Sequence, residues 1–239
     1  MKEGNTKRST AVWVTISGGV LIAAALIALY APWFRACDVR RVVVIGNHHA
    51  TAAEIVSLSG ISRNQTIFSV PRATTTRKIE AHPWIRDAIL DRIFPHTLKL
   101  EVEERQIVAW TMTSSDRSVI AVGDGGVLLE FVGEAPAVLE LLGASLTAEL
   151  PGGRLVDSQV TATIERLRDG ICGLTVDRLD VSDLRSLELF LDNGPHVRLG
   201  ALATVMRALD RLAALCGEID ISSFEEIDLR FGGEATLVP

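Results

Sequence analysis

Five histidines and three cysteines are the side chains of this 239-residue chain best able to hold a metal ion or attack a substrate. His48 and His49 adjoin in a predicted turn, with no further His or Cys at the spacing a zinc site uses. His82 closes a predicted short helix, where a cation is favourable against the helix dipole without any catalytic role. Neither a Gly-x-Ser-x-Gly elbow nor a Ser-x-x-Lys set marks a hydrolase. Asp177, Asp180 and Asp183 recur every third residue but lack the oxygen-ligand spacing and glycine of a calcium loop. The GDGG at 123–126 has the glycines of a phosphate loop, yet no Lys-Ser/Thr follows and no helix opens there, so it reads as a tight turn. Glu103-Glu104 and Glu225-Glu226 are neighbours in predicted strands and point to opposite faces, which denies them the shared site of an acid–base pair. These spacings predict a protein that is not an enzyme, with no metal, no cofactor and no small-molecule substrate. Cys37, Cys172 and Cys216 make an odd count, leaving at least one thiol outside any intrachain pair. Cys172 with Cys216 is one possible bond and isolated thiols are the other, because spacing does not reveal proximity.

The chain that must carry these residues begins with an apolar segment. Ala11 to Phe34 is a run of 24 residues without a charge. As a helix it would reach about 36 Å, against roughly 30 Å for a bilayer core. It is expected to be a transmembrane helix over 11–34, preceded by a tail over 1–10. A lipoprotein signal before Cys37 is disfavoured by Arg35, which sits where such sites take small neutral residues. Gly18, Gly19 and Ala23 could pack against a second helix, although small residues are common in membrane spans. The flanking charges nearly balance, with Lys2, Lys7 and Arg8 on one side and Arg35, Arg40 and Arg41 on the other. A short inside tail and a large outside domain fit this pattern without being required by it, since long domains cross largely regardless of charge.

Beyond the span, residues 38–105 carry a net charge of +2 and residues 106–239 a net charge of −11. The acidic distal part argues against nucleic acid and against lying on an anionic membrane surface. The change near residue 105 marks a boundary between a unit over 38–105 and one over 106–239.

In the first unit, VVVIGN (42–47) reads as a strand and Thr51-x-x-Glu54 as a capping box opening a short helix that Gly60 stops. TTTRKIEAH (74–82) reads as a second helix. Trp84–Ile93 and Leu98–Glu104 read as strands, with Leu98, Leu100 and Val102 on one face. The order is β-α-α-β-β. In the second unit, 107–112 and 118–130 read as a strand and a hairpin, Ser158–Asp169 as a helix, and 187–199 as a hairpin turning at Asp192-Asn193-Gly194-Pro195. Leu202, Val205, Met206, Leu209 and Leu212 stripe a helix over 201–216 that Gly217 should end. EIDLRF (226–231) alternates Ile227, Leu229 and Phe231 with polar residues, and ATLVP (235–239) offers one more short strand. Such a terminal strand is a possible sheet edge, either covered or open to a further chain. The fold class is α+β, the second unit being a mixed or antiparallel sheet with flanking helices.

VVVIGN, TIFSV (66–70) and HPWIRDAILDRIFPHTLKLEVEER (82–105), in this order, resemble a polypeptide-transport-associated (POTRA) domain of the type found in the bacterial cell-division family FtsQ/DivIB. Pro83-Trp84, Ala88, Arg92, Pro95, Leu98 and Glu104-Arg105 carry the likeness, while Ile107 stands where the family usually has proline. LELFLDNGPHVRLG (187–200) and IDLRF (227–231) follow the family's second, β-rich domain more loosely. The resemblance implies a single-pass inner-membrane protein of type II, with its N-terminus cytoplasmic and its large domain periplasmic, enriched at the division septum. It implies a non-enzymatic scaffold that binds FtsB-like and FtsL-like partners and other divisome components. It also implies strand addition at the C-terminal edge, with Arg230, Phe231, Arg185 and Leu237 as contacts. An alternative is a membrane-anchored docking or chaperone-like POTRA module for exported polypeptides.

Overall fold

The computed structural model describes residues 37–231 and 235–239. The expected span at 11–34 lies outside them. Among the described residues no helix is long and apolar enough to cross a membrane. The chain divides into two compact units, one running up to Ile79 and resuming over Asp87–Glu103, the other comprising Glu80–Arg86 and Glu104–Pro239.

The smaller unit is built on β1 (Arg41–Ile45), α1 (Ala52–Ser59), α2 (Arg72–Ile79), β2 (Ile85–Ile93) and β3 (Thr97–Glu104). Its sheet runs β1-β3-β2, with β1 and β3 parallel. The capping box forms as the sequence predicts. Glu54 N–H donates to Thr51 Oγ1 at 3.2 Å, and Thr51 N–H donates to Glu54 Oε2 at 2.8 Å, so two N–H groups at the start of α1 are satisfied reciprocally. Gly60 closes α1 in the left-handed conformation. Leu98, Leu100 and Val102 are buried together with Ile55, Ile67, Ile79 and Leu90. Arg92 shows why TIFSV accompanies it: its Nε donates to Ile67 O at 2.6 Å and its Nη2 to Val70 O at 2.7 Å. A fork on two carbonyls fixes that loop more tightly than a point charge can.

Among the described residues, the larger unit is a mixed sheet of nine strands. They are β4 (Ile107–Met112), β5 (Val119–Gly123), β6 (Val127–Val132), β7 (Leu139–Leu142), β8 (Val176–Asp180), β9 (Leu187–Leu191), β10 (His196–Gly200), β11 (Glu226–Asp228) and β12 (Thr236–Val238). Their order in the sheet is β12-β11-β10-β9-β8-β7-β4-β5-β6. The helices α3 (Ser158–Leu167) and α4 (Val205–Glu218) cover one face. Val160, Ile164 and Leu167 from α3, and Val205, Leu209 and Leu212 from α4, pack with Leu141, Leu179, Leu189, Val197 and Ile227 of the strands. Period-3.6 stripes thus meet period-2 faces, which is the condition for a two-layer core.

Four details depart from the sequence reading. A short 3-10 turn at Leu202–Thr204 precedes α4. Met206 is exposed rather than part of the buried stripe. Helix α4 continues through Gly217 to Glu218. Strands β7 and β8 have no counterpart in the reading, because LELL is short and VDRLD is mostly charged. Cys172 and Cys216 are bonded, with Cα atoms 5.6 Å apart, and Cys37 is buried outside that bond.

Candidate partner-binding edge

Helices on one face leave the other face of the sheet to polar residues, and the pairing register lines these up in rows. Glu140, Arg178, Phe190, His196, Glu226 and Val238 succeed one another across β7, β8, β9, β10, β11 and β12. Asp180, Glu188, Arg198, Asp228 and Thr236 form the neighbouring row from β8 to β12. Opposite charges meet along them. Arg178 Nε lies 2.6 Å from Glu140 Oε2 and Arg198 Nε lies 3.2 Å from Glu226 Oε1. His196 stacks on Phe190 with ring centroids 4.4 Å apart and reaches Glu188 Oε2 at 3.1 Å. Each such cross-strand pair stabilises the sheet by a few tenths to about 1 kcal/mol, so the rows fix register up to the last strand.

That last strand, β12, is one edge of the sheet. Its Leu237 pairs with Ile227, is half-buried and packs against the core. The Leu237 side chain is thus turned to the core, and its main chain is what lies at the edge. Thr236 and Val238 are exposed.

Arg230 and Phe231 do not lie within a strand. The alternation read from EIDLRF holds for Ile227 and Leu229, both buried, and breaks at Phe231, which is 67% exposed. Strand β11 ends at Asp228, although Leu229 N–H still donates to Arg198 O at 2.8 Å. Asp228 then binds the next residue but one. Its carboxylate accepts from Arg230 N at 2.9 Å and from Arg230 Nη2 at 2.6 Å. The hydrogen bonds from Arg230 hold the Asp228 carboxyl below the usual carboxylate range, and Asp228 in turn raises the Arg230 guanidinium. The guanidinium carbon of Arg230 also lies 5.5 Å from the Phe231 ring centroid. A charged fork and an aromatic ring are thus presented together on an exposed but ordered turn.

Two residues that sequence reasoning did not single out support this turn. Gly200, at the end of β10, has φ +84°, and a Cβ there would come within 3.3 Å of Arg230 Cα. Arg211 of α4 donates from Nη1 to Leu229 O and from Nη2 to Phe231 O, each at 3.2 Å. Arg185 precedes β9, whose Leu187 stands opposite Gly200, so Arg185 and Arg230 occupy the same end of the sheet. The Arg185 side chain is exposed and makes no ion pair among the described residues. Among the described residues no group of three His, Cys, Asp or Glu side chains is placed to hold a metal ion.

Comparison with known proteins places the fold in a lineage. Residues 38–105 match the family description "POTRA domain, FtsQ-type". A cell division protein FtsQ of Koribacter versatilis is 30% identical over 117 residues, or 49% of this chain and 33% of that protein. A cell division protein DivIB of Geobacillus kaustophilus is 35% identical over 72 residues, or 30% of this chain and 28% of that protein. A cell division protein FtsQ of Rhodothermus marinus is 26% identical over 214 residues, covering 84% of this chain and 78% of the relative. The chain is similar to cell division proteins FtsQ and DivIB through its FtsQ-type POTRA domain and, at lower identity, over most of its length. It spans about a third of the length of the first two relatives. Its architecture, a POTRA domain followed by a β-rich mixed sheet with a few helices, is α+β.

Two of the residues that carry the POTRA likeness serve the larger unit. Trp84 packs on Ala121 and Leu129. Arg105 N–H donates to Trp84 O at 2.8 Å, and Arg105 Nη1 donates to Asp124 O at 2.9 Å. The glycine-rich segment at 124–126, read from the sequence as a tight turn, receives the Arg105 side chain, with Arg86 Nη1 3.1 Å from Asp124 Oδ2.

Proposed function

We propose that this protein is a non-enzymatic scaffold of bacterial cell division, which docks FtsB-like and FtsL-like partners by adding a partner strand to β12. The observation that carries the reading is the exposed β12 edge beside the ordered Arg230–Phe231 turn. A strand edge supplies main-chain hydrogen bonds for affinity, and a neighbouring aromatic and charged fork supply register and specificity. Phe231 is the apolar anchor, Arg230 and Arg185 meet partner carboxylates at one end, and Leu237 contributes its backbone. The names of the relatives, all cell division proteins, support the cellular setting. The scaffold is anchored by the 11–34 segment in the inner membrane with its tail, 1–10, cytoplasmic. Its POTRA domain over 38–105 and β domain over 106–239 are periplasmic, at the septum.

A fluorescent fusion to the short N-terminal tail, imaged in dividing cells, tests this role. A band at the division site before constriction is the expected result. An even membrane outline from a functional fusion would refute the divisome assignment.

A further inference from the structure

An exposed phenylalanine beside an exposed arginine usually lies on a pliable loop, whose ordering opposes binding. Here the turn is held from three directions. Asp228 chelates Arg230 from within the turn, Gly200 admits the Arg230 backbone from β10, and Arg211 reaches across from α4. The Arg211 contact differs in kind from the other two. Its planar fork takes two carbonyls, those of Leu229 and Phe231, which flank Arg230 in sequence. A guanidinium bound to residues i and i+2 fixes the backbone between them, and with it the directions of the Arg230 and Phe231 side chains.

The platform behind Arg211 is itself fixed. Helix α4 buries Val205, Ala208, Leu209 and Leu212 in the core. Five positions beyond Arg211, Cys216 is bonded to Cys172. Cys172 occupies a two-residue turn closed by mutual hydrogen bonds between Ile171 and Leu174, with φ of 59° at Cys172. Asn is the usual residue at such a left-handed position. The reach to Cys216 accounts for a cysteine there.

We infer that Arg211 is the positioning residue of the docking edge: it sets the Arg230–Phe231 turn in the geometry a partner strand meets, so that binding does not have to order it. The inference rests on β12 and its turn being the docking site. It predicts that loss of Arg211 weakens binding through the turn and leaves the remainder of the sheet intact.

The test compares the full chain with its Arg211→Met and Arg211→Lys variants. Amide exchange at Glu226–Phe231 and Thr236–Val238 is measured without partner, and affinity is then measured for the purified FtsB-like protein of the same bacterium. Arg211→Met is expected to speed exchange in the turn several-fold, to leave exchange in β8 and β9 unchanged, and to weaken binding about tenfold. Arg211→Lys, which keeps the charge but not the planar fork, should restore part of both and carries the comparison alone if the Met variant unfolds. In a Phe231→Ala background, Arg211→Met should cost little further affinity, because both changes act through the same ring. A purely structural role would instead lower affinity equally in both backgrounds. Wild-type binding with unchanged exchange and affinity in Arg211→Met overturns the inference. Absence of wild-type binding overturns the docking-site reading beneath it, and the partner-free exchange then still reports whether Arg211 orders the turn.

Discussion

Arg230 is not a free charge waiting for a partner. Its fork is already occupied by Asp228 at 2.6 Å, so a partner carboxylate must share it or displace Asp228. Because Arg230 keeps the Asp228 carboxyl deprotonated in the fold, the unfolded chain takes up that proton first as the pH falls. The contribution of the pair to stability is therefore complete above the usual carboxylate range, about pH 4, and is lost as the pH drops through the lower native value. Urea midpoints of wild type and Asp228→Asn should differ at pH 7 and draw together as the pH is taken below the usual carboxylate range. A gap that persists in acid would contradict the pairing. Gly200→Ala tests the same turn from the other side. The left-handed φ alone costs an L-residue about 1–2 kcal/mol, and the new methyl crowds Arg230 Cα, so a fall in Tm should accompany faster exchange at Arg230. None of these contacts was legible beforehand. Arg211 and Gly200 lie 19 and 30 positions from Arg230, and no local periodicity links a helix side chain to a distant carbonyl.

Elements were more legible than contacts, for a physical reason. Where a segment buries one face, its period is written in apolar residues, and β3, α3, β9 and β10 were read from that period. The capping box at Thr51 and the 123–126 turn were legible because their chemistry is local. Thr51→Ala should cost about 1 kcal/mol by loss of the cap, measurable as a shift in urea midpoint. Strand β8 has no clear period because Asp177, Arg178 and Asp180 are charged and only Leu179 is fully buried, so its place depends on neighbours and not on its own pattern. Strand β11 was overextended because Leu229 and Phe231 continue the alternation after the ladder has ended. The disulfide depends on two elements 44 residues apart. Replacing both cysteines by serine should destabilise the larger unit by about 2–4 kcal/mol in thermal or urea unfolding and leave the POTRA strands unaffected. No change in midpoint would mean that the bond does not constrain the unfolded chain.

At the scale of the molecule, a sheet of nine strands has two edges, and they are treated differently. At β6, the segment at 152–155 lies alongside the first half of the strand, with Gly152 N–H donating to Leu128 O at 2.8 Å and Leu155 N–H to Gly126 O at 2.9 Å. At β12 only three residues close the sheet, next to an ordered turn that displays Phe231. A short edge strand discourages indiscriminate pairing, and in the proposed docking the adjacent Phe231 would supply selectivity for one strand. Phe231→Asp should leave the fold and its Tm unchanged within about 0.5 kcal/mol, as expected for an exposed position, while abolishing partner binding.

If a partner strand extends this sheet as proposed, amide exchange at Thr236–Val238 in the full chain, measured with and without the FtsB-like partner, reports it. Strand addition predicts that these amides slow by at least about tenfold in the complex, since main-chain hydrogen bonds replace water along β12. Binding of the partner with unchanged exchange along β12 would rule strand addition out.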